Sequence, residues 1–281
     1  MEQQRQVPDG YLAGYDGYGR DWVSTSSLSL LMMCPVAWEK KYALRIPAPT
    51  NVRMTAGSAC HKGREVNLKQ KVDSHEDVSE DVVTDAARDC VNKTFDEREV
   101  VSEKEFADMS KEDARGMTVD MAVTFVVTDY TEFQLGIQPS MVEKSLAIKF
   151  KDLDRIICGQ IDTVNEDGWV DDLKTGKRAK GQAFADTSMG LSTYGMLYLA
   201  HMGKAPPGYR IHNVVQGKSG CKTHVYETTR TEEDLNRQLA RFQRALELIK
   251  SGVFMPCDPG FWKCSEGWCE YWFQCKFGGG K

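Results

Sequence analysis

No apolar run in this 281-residue chain approaches the roughly 20 residues that a membrane-spanning helix needs, so a helical membrane function is excluded. The opening residues Met1 to Gln6 are polar and lack the apolar region of a signal peptide, so the expected compartment is reducing and cytoplasmic. Nine cysteines occur, at 34, 60, 90, 158, 221, 257, 264, 269 and 275, and an odd number without a secretory signal argues against a disulfide framework. Excess positive charge is also missing. Thirty-six basic residues against 41 acidic ones leave a net charge of −5, which excludes a protein that coats DNA through bulk electrostatics. Neither an internal repeat nor a low-complexity block is present.

What is present is acid placed at the ends of a short hairpin. Gly159-Gln160-Ile161-Asp162 is followed nine residues later by Asp171-Asp172-Leu173-Lys174-Thr175-Gly176, with Asn165-Glu166-Asp167-Gly168 as the intervening turn. In a strand, residues i and i+2 share a face, so Asp172 and Lys174 project together while Leu173 turns toward a core. The pattern delivers two carboxylates and one ammonium to one place. Paired carboxylates suit a hard divalent cation such as Mg²⁺ or Mn²⁺. An adjacent lysine orients or helps deprotonate a water, or stabilises charge on a phosphate.

The tail carries a second chemistry. Cys264, Cys269 and Cys275 form a C-x4-C-x5-C set with aromatic residues between the sulfurs. Tetrahedral zinc and cubane iron-sulfur clusters each take four protein ligands, so a fourth is needed. Cys257 is the near candidate and Cys34 the distant one. Cys60, Cys90, Cys158 and Cys221 are read as small buried residues.

Elsewhere the pattern describes a scaffold. Residues 1–20 read as a flexible leader. A helix is expected from Ser24 or Ser26 to about Ala43, with Pro35 tolerated or splitting it. Apolar periodicity between about residues 76 and 127 reads as a helical insertion. Strands are expected at Met141 to Phe150, Tyr209 to Val215 and Lys222 to Glu227, the last two around a Gly217–Gly220 turn. A charged helix is expected from Thr231 to about Lys250. Glu143 is read as a strand-surface residue, although it is a further acid near the site. His61 is placed after a glycine-containing turn, opening a helix on which Glu65 would share its face. The cluster Lys177, Arg178 and Lys180 follows the acidic strand and is positioned to neutralise phosphates.

These residues resemble the PD-(D/E)XK nucleases in their RecB-like branch. Gly-x-Ile-Asp, a turn, then Val-Asp-Asp-Leu-Lys-Thr-Gly is similar to the second and third motifs of that branch. Gly57-Ser-Ala-Cys-His61 matches its Gly-x-x-x-His, whose histidine joins the metal site. Leu191 to Tyr198 is similar to its Gln-x-x-x-Tyr helix, with Tyr194 at the tyrosine position and Gly190 where the glutamine belongs; Gln182 or Ser192 would have to substitute. Nucleases of this branch with an iron-sulfur cluster, AddB-type enzymes and CRISPR-associated adaptation nucleases among them, place one cysteine in an N-terminal Cys-Pro and three at the C-terminus. By position Cys34, Cys264, Cys269 and Cys275 take those roles, although the usual spacing is C-x2-C-x5-C.

The resemblance implies an α/β fold: a restriction-endonuclease-like core with a central mixed sheet flanked by helices, a helical insertion at about 76–127, and a metal-stapled C-terminus at 257–281. One nuclease domain over residues 21–281 is expected. Asp162 and Asp172 would hold Mg²⁺ or Mn²⁺ with His61, Lys174 would position the nucleophile, and Tyr194 would contact substrate or brace Lys174. The cofactors implied are that divalent ion and a [4Fe-4S] cluster, with Zn²⁺ as the alternative. The partners implied are DNA with a free end and a recombination or helicase protein. The function implied is an exonuclease in recombination, repair or phage DNA processing. The competing readings are a non-catalytic DNA-binding or assembly subunit on the same scaffold, and a zinc-stapled interaction protein with no nuclease site.

Overall fold

The computed structural model describes residues 3–4, 22–101, 108–151, 153, 155–218 and 220–278. The leader expected over residues 1–20 lies outside them, apart from β1 (Gln3–Gln4). The next elements are β2 (Trp22–Ser24), α1 (Thr25–Met33), α2 (Pro35–Trp38) and a π-helical turn at Glu39–Ala43. Proline splits the single helix expected here: Cys34 is extended and Pro35 restarts the chain at the first helical position, where its missing N–H costs nothing.

A three-helix group follows. It comprises α3 (Val52–Ser74), α4 (Glu80–Glu97) and α5 (Lys111–Glu132), with the short paired strands β3 (Thr50–Asn51) and β4 (Val100–Val101) at one end. The turn expected before His61 is not there. Asn51 caps α3 by accepting from the Met54 N–H at 2.8 Å, so Gly57 and His61 both lie inside the helix. Glycine here serves close approach, not a turn: a Cβ on Gly57 would come 2.8 Å from Thr175 Oγ1.

The sheet is built from β5 (Pro139–Phe150), β6 (Ile156–Asn165), β7 (Val170–Gly176), β8 (Tyr209–Gly217) and β9 (Gly220–Thr228). Its order is β1-β5-β6-β7-β8-β9, with β2 added to β6. The β5/β6, β6/β7 and β8/β9 pairs are antiparallel, whereas β7/β8 and β2/β6 are parallel. The expected mixed sheet is therefore present. The turn after β6 closes with Gly168 N–H donating to Asn165 O at 3.0 Å, at a glycine φ of +84°.

Between β7 and β8 run α6 (Gln182–Thr187) and α7 (Met189–Met202); α8 (Glu232–Ser251) closes the core. Thr231 and Asp234 form a reciprocal capping box at the start of α8. Helices cover both faces. Leu173 and Val214 pack with Ala56, Cys60 and Val126 of the three-helix group. Val170, Tyr209 and Ile211 pack instead with Leu191, Leu197 and Phe242. Among the described residues no helix is long and apolar enough to cross a membrane.

Candidate active site

The site lies where the sheet forks. Along one edge β6 pairs first with β2, at Ile156 to Cys158, and later with β7, at Thr163 and Val164. Residues 159–162 lie between these stretches, and Asp162 sits at the mouth of the fork. Its Oδ2 accepts the Leu173 N–H at 3.0 Å, so a side chain supplies the bond that the diverging ladder no longer makes. That bond ties the aspartate of β6 to the centre of the Asp172-Leu173-Lys174 triplet.

On β7, Leu173 is fully buried in the helical face while its neighbours turn the other way. Lys174 Nζ meets Asp172 Oδ2 at 2.5 Å and also donates to Leu173 O at 3.3 Å. Burial raises the Asp172 carboxyl, and Asp162 adds to that, against the pull of Lys174. The lysine responds oppositely: burial pushes it down, but Asp172 and Asp162 outweigh this and hold it above its usual value. Lys174 is thus a stabilised ammonium. Asp171, next in sequence, is not part of this group, because Arg210 grips it with bonds of 2.6 and 3.0 Å.

From α3, His61 Nδ1 lies 3.5 Å from Asp162 Oδ2 and 3.8 Å from Glu143 Oε1. The Gly57 contact with β7, one turn earlier, allows the helix to come that close. Burial lowers the imidazole, but Asp162 and Glu143 more than compensate, so its net shift is upward. One donor atom each from His61, Glu143 and Asp162 lies within 4.8 Å of the others. Asp172 stands outside that trio, with its Oδ2 on Lys174.

Glu143 is the site residue that sequence reasoning undervalued. Val142 pairs with Thr163 and Lys144 with Ile161, which sets Glu143 opposite Asp162. Its φ is +48°, in the left-handed region that a non-glycine residue in a strand avoids at a cost of about 1–3 kcal/mol. Gln160 Nε2 holds its Oε2 at 2.7 Å. The available signal was an acid in a strand one hairpin upstream of Asp162. Asn213 was missed as well. Fully buried on β8, it donates to Lys174 O at 2.8 Å and accepts the Lys180 N–H at 2.9 Å, anchoring the loop after β7.

The other expected residues fall as follows. Tyr194 on α7 packs toward Gly159, where a Cβ would sit 3.5 Å from its ring. Burial, with Asp162, Asp172 and Glu143 nearby, raises its hydroxyl well above the usual value. Lys177, Arg178 and Lys180 are exposed. Glu65 does not turn to the site; Lys62 and Lys69 hold it at 2.9 and 2.7 Å. Gln182 donates to Asp186 and to Glu227 O, and Ser192 accepts from Arg230, so both are engaged away from the acids.

Cys34, Cys257, Cys264, Cys269 and Cys275 line one pocket, and none of the acidic-site residues lines it. The Cys257 thiol is pushed up to about 12 by burial and by hydrogen-bonding contact with Cys34 and Cys264. Cys60 is fully buried, and Cys90 and Cys221 are half-buried, all away from that pocket.

The mixed sheet, flanked by helices and forked beside two aspartates and a lysine, has the architecture of a restriction-endonuclease-like core. The chain belongs to the PD-(D/E)XK nuclease superfamily, whose family model matches residues 23–276. Nucleases of this superfamily use divalent metals and act on DNA. No curated protein sequence matches the chain. Among solved structures, a protein of Eubacterium rectale designated a candidate exonuclease aligns over 90% of this chain and 91% of its own. Its TM-score is 0.59 at 10% identity, which establishes the shared fold. SSO0001 aligns over 96% of this chain and 91% of its own at 11% identity, with a TM-score of 0.43.

Proposed function

We propose that this chain is a Mg²⁺- or Mn²⁺-dependent exonuclease of the RecB-like branch, acting on DNA ends in recombination, repair or phage DNA processing. The observation that supports it most is the meeting of His61, Glu143 and Asp162 beside the Asp172–Lys174 pair. Two carboxylate oxygens and one imidazole nitrogen suit a hard or borderline divalent cation, and would hold it with Asp172 adjacent. Such an ion, when bound, lowers the pKa of a water and neutralises charge developing on phosphate.

The protein's own groups do the rest. Lys174 keeps its proton at Nζ because Asp172 and Asp162 favour the ammonium, so it acts as a donor that orients the attacking oxygen or stabilises a phosphate oxygen. Tyr194 keeps its hydroxyl proton because burial, together with the same negative field, disfavours the phenolate, which makes it a neutral donor to substrate. Lys177, Arg178 and Lys180, on a loop anchored by Asn213, neutralise phosphates as the strand leaves the fork. Residues 21–281 act as one nuclease domain with an insertion near 76–127.

The pocket at the tail is read as the seat of a [4Fe-4S] cluster on Cys34, Cys264, Cys269 and Cys275. Its donors are thiols from both ends of the chain, which suits a thiolate-bound cluster or Zn²⁺. Because such a group binds the folded state, it staples residues 257–278 to the core.

The test is incubation of the anaerobically purified chain with linear and covalently closed circular DNA and Mn²⁺, beside Lys174→Ala. Cleavage of linear DNA alone, lost in the variant, is expected. Equal cleavage by the variant overturns the reading, and cutting of both DNA forms removes the requirement for an end.

A further inference from the structure

The tail that carries four of the cysteines also exposes aromatic rings that no packing requirement explains. Trp262 is 52% exposed, Trp268 65%, Phe273 74% and Phe277 45%. Residues 257–278 contain no alanine, valine, leucine, isoleucine or methionine, so apart from cysteine and Pro259 every apolar side chain there is an aromatic ring. Exposed rings serve protein interfaces as well as nucleic acids, but in a chain of a nuclease superfamily each ring offers a face to a planar base.

The rings stand on fixed backbone. Lys263 Nζ donates to Trp268 O at 2.7 Å and pairs with Glu270 at 2.6 Å, clamping the loop between Trp262 and Trp268. Those two indoles meet edge to face, with centroids 5.4 Å apart. Tyr271, almost fully buried, anchors the segment by donating to Ile46 O at 2.9 Å. Lys40 holds Gln274 O at 3.1 Å, next to Phe273. The cost of ordering these side chains on binding is thereby reduced.

We infer that Trp262, Trp268, Phe273 and Phe277 form a stacking platform for the unpaired bases of single-stranded DNA, a second contact with the substrate apart from the fork. The inference rests on the nuclease reading for its choice of DNA. Only unpaired bases expose the faces that stacking uses, and stacking tolerates any sequence. Charge contributes nothing favourable, because the two lysines of residues 257–278, Lys263 and Lys276, are outnumbered by three acids, Asp258, Glu266 and Glu270, so the affinity has to come from stacking. The platform therefore adds affinity without adding salt dependence, whereas Lys177, Arg178 and Lys180 add both.

The experiment measures binding of labelled oligothymidylate of about 20 nucleotides to the anaerobically purified full chain, in chelator, over a range of salt. Trp268→Ala/Phe273→Ala is expected to bind roughly 10-fold or more weakly per ring removed, with the slope of log affinity against log salt unchanged. Trp268→Phe/Phe273→Tyr, which keeps the rings, is expected to bind as the parent does. Both rings are exposed, so their loss leaves no cavity, and thermal melting of both variants checks the fold. Undiminished affinity in the alanine variant, with the parent binding and cleaving DNA, overturns the platform and leaves the rings to a protein partner. A parent chain that neither binds the oligonucleotide nor cleaves DNA overturns the nuclease reading itself.

Discussion

Glu143 and Asp162 face each other across β5 and β6, two carboxylates in register on adjacent strands, with the His61 imidazole 3.8 and 3.5 Å away. Like charges directly opposite in a sheet repel, and Glu143 holds its place with a left-handed backbone. A cation removes the first cost. Glu143→Gln should therefore raise the melting temperature of metal-free protein slightly, by the equivalent of up to about 1 kcal/mol. The same change should raise the Mn²⁺ concentration needed for half-maximal cleavage by roughly 10-fold or more. Calorimetry with and without Mn²⁺ and a Mn²⁺ titration of activity check both. A variant with reduced metal-free stability and unchanged Mn²⁺ requirement contradicts this account.

Two neighbouring aspartates should separate stability from chemistry. Asp171 is fully buried against Arg210, so Arg210→Met strands a buried charge and should cost about 3–5 kcal/mol in denaturant unfolding. Asp172→Asn removes a carboxyl that burial already disfavours, so it should shift stability by no more than about 1 kcal/mol while cutting cleavage roughly 100-fold or more.

The cysteine pocket makes a prediction about metal content. Protein purified without oxygen should contain iron and acid-labile sulfide, and should absorb visible light. Cys269→Ser should lose both and melt several degrees lower, because metal binding contributes to folding. Cys90→Ser, away from the pocket, should keep them. Zinc without sulfide would exclude the cluster and keep the staple.

A buried histidine sets part of the acid limit of stability. Arg64 Nη2 donates to His212 Nδ1 at 3.1 Å, and Phe133 stacks on the ring with centroids 4.4 Å apart. Burial, with Arg64 and Arg210 nearby, holds the imidazole well below its usual pKa. The unfolded chain therefore takes up a proton near pH 6.5 that the folded chain refuses. This contribution to stability is fully present above that pH and is lost as pH falls, by at most about 1.4 kcal/mol per pH unit. His212→Asn should flatten the loss between pH 7 and pH 5 in denaturant titrations, relative to the parent.

The parts of the site that a sequence displays are those made locally. Asp172 and Lys174 meet because strand geometry puts i and i+2 on one face, and Asp162 joins them across a short turn. Glu143 depends on the β5/β6 register and an unusual φ, neither of which alternation encodes. Gly57 signalled a turn by its residue type, yet Asn51 starts the helix six residues earlier and the glycine serves contact with Thr175. The buried Arg64–Asp129–His212 group links residues separated by 65 and 148 positions, beyond the reach of any periodicity. The mixed sheet was legible because its strands carry β-rich runs bounded by turn residues, and Pro35 marked the split after α1.

The most direct measurement is anomalous scattering from a crystal of the chain grown or soaked with Mn²⁺. The account predicts one strong peak within about 2.0–2.3 Å of an Asp162 carboxylate oxygen, in contact with His61 or Glu143 and beside Asp172. A fully occupied peak elsewhere, with Asp162 and Asp172 unliganded at saturating Mn²⁺, would contradict it.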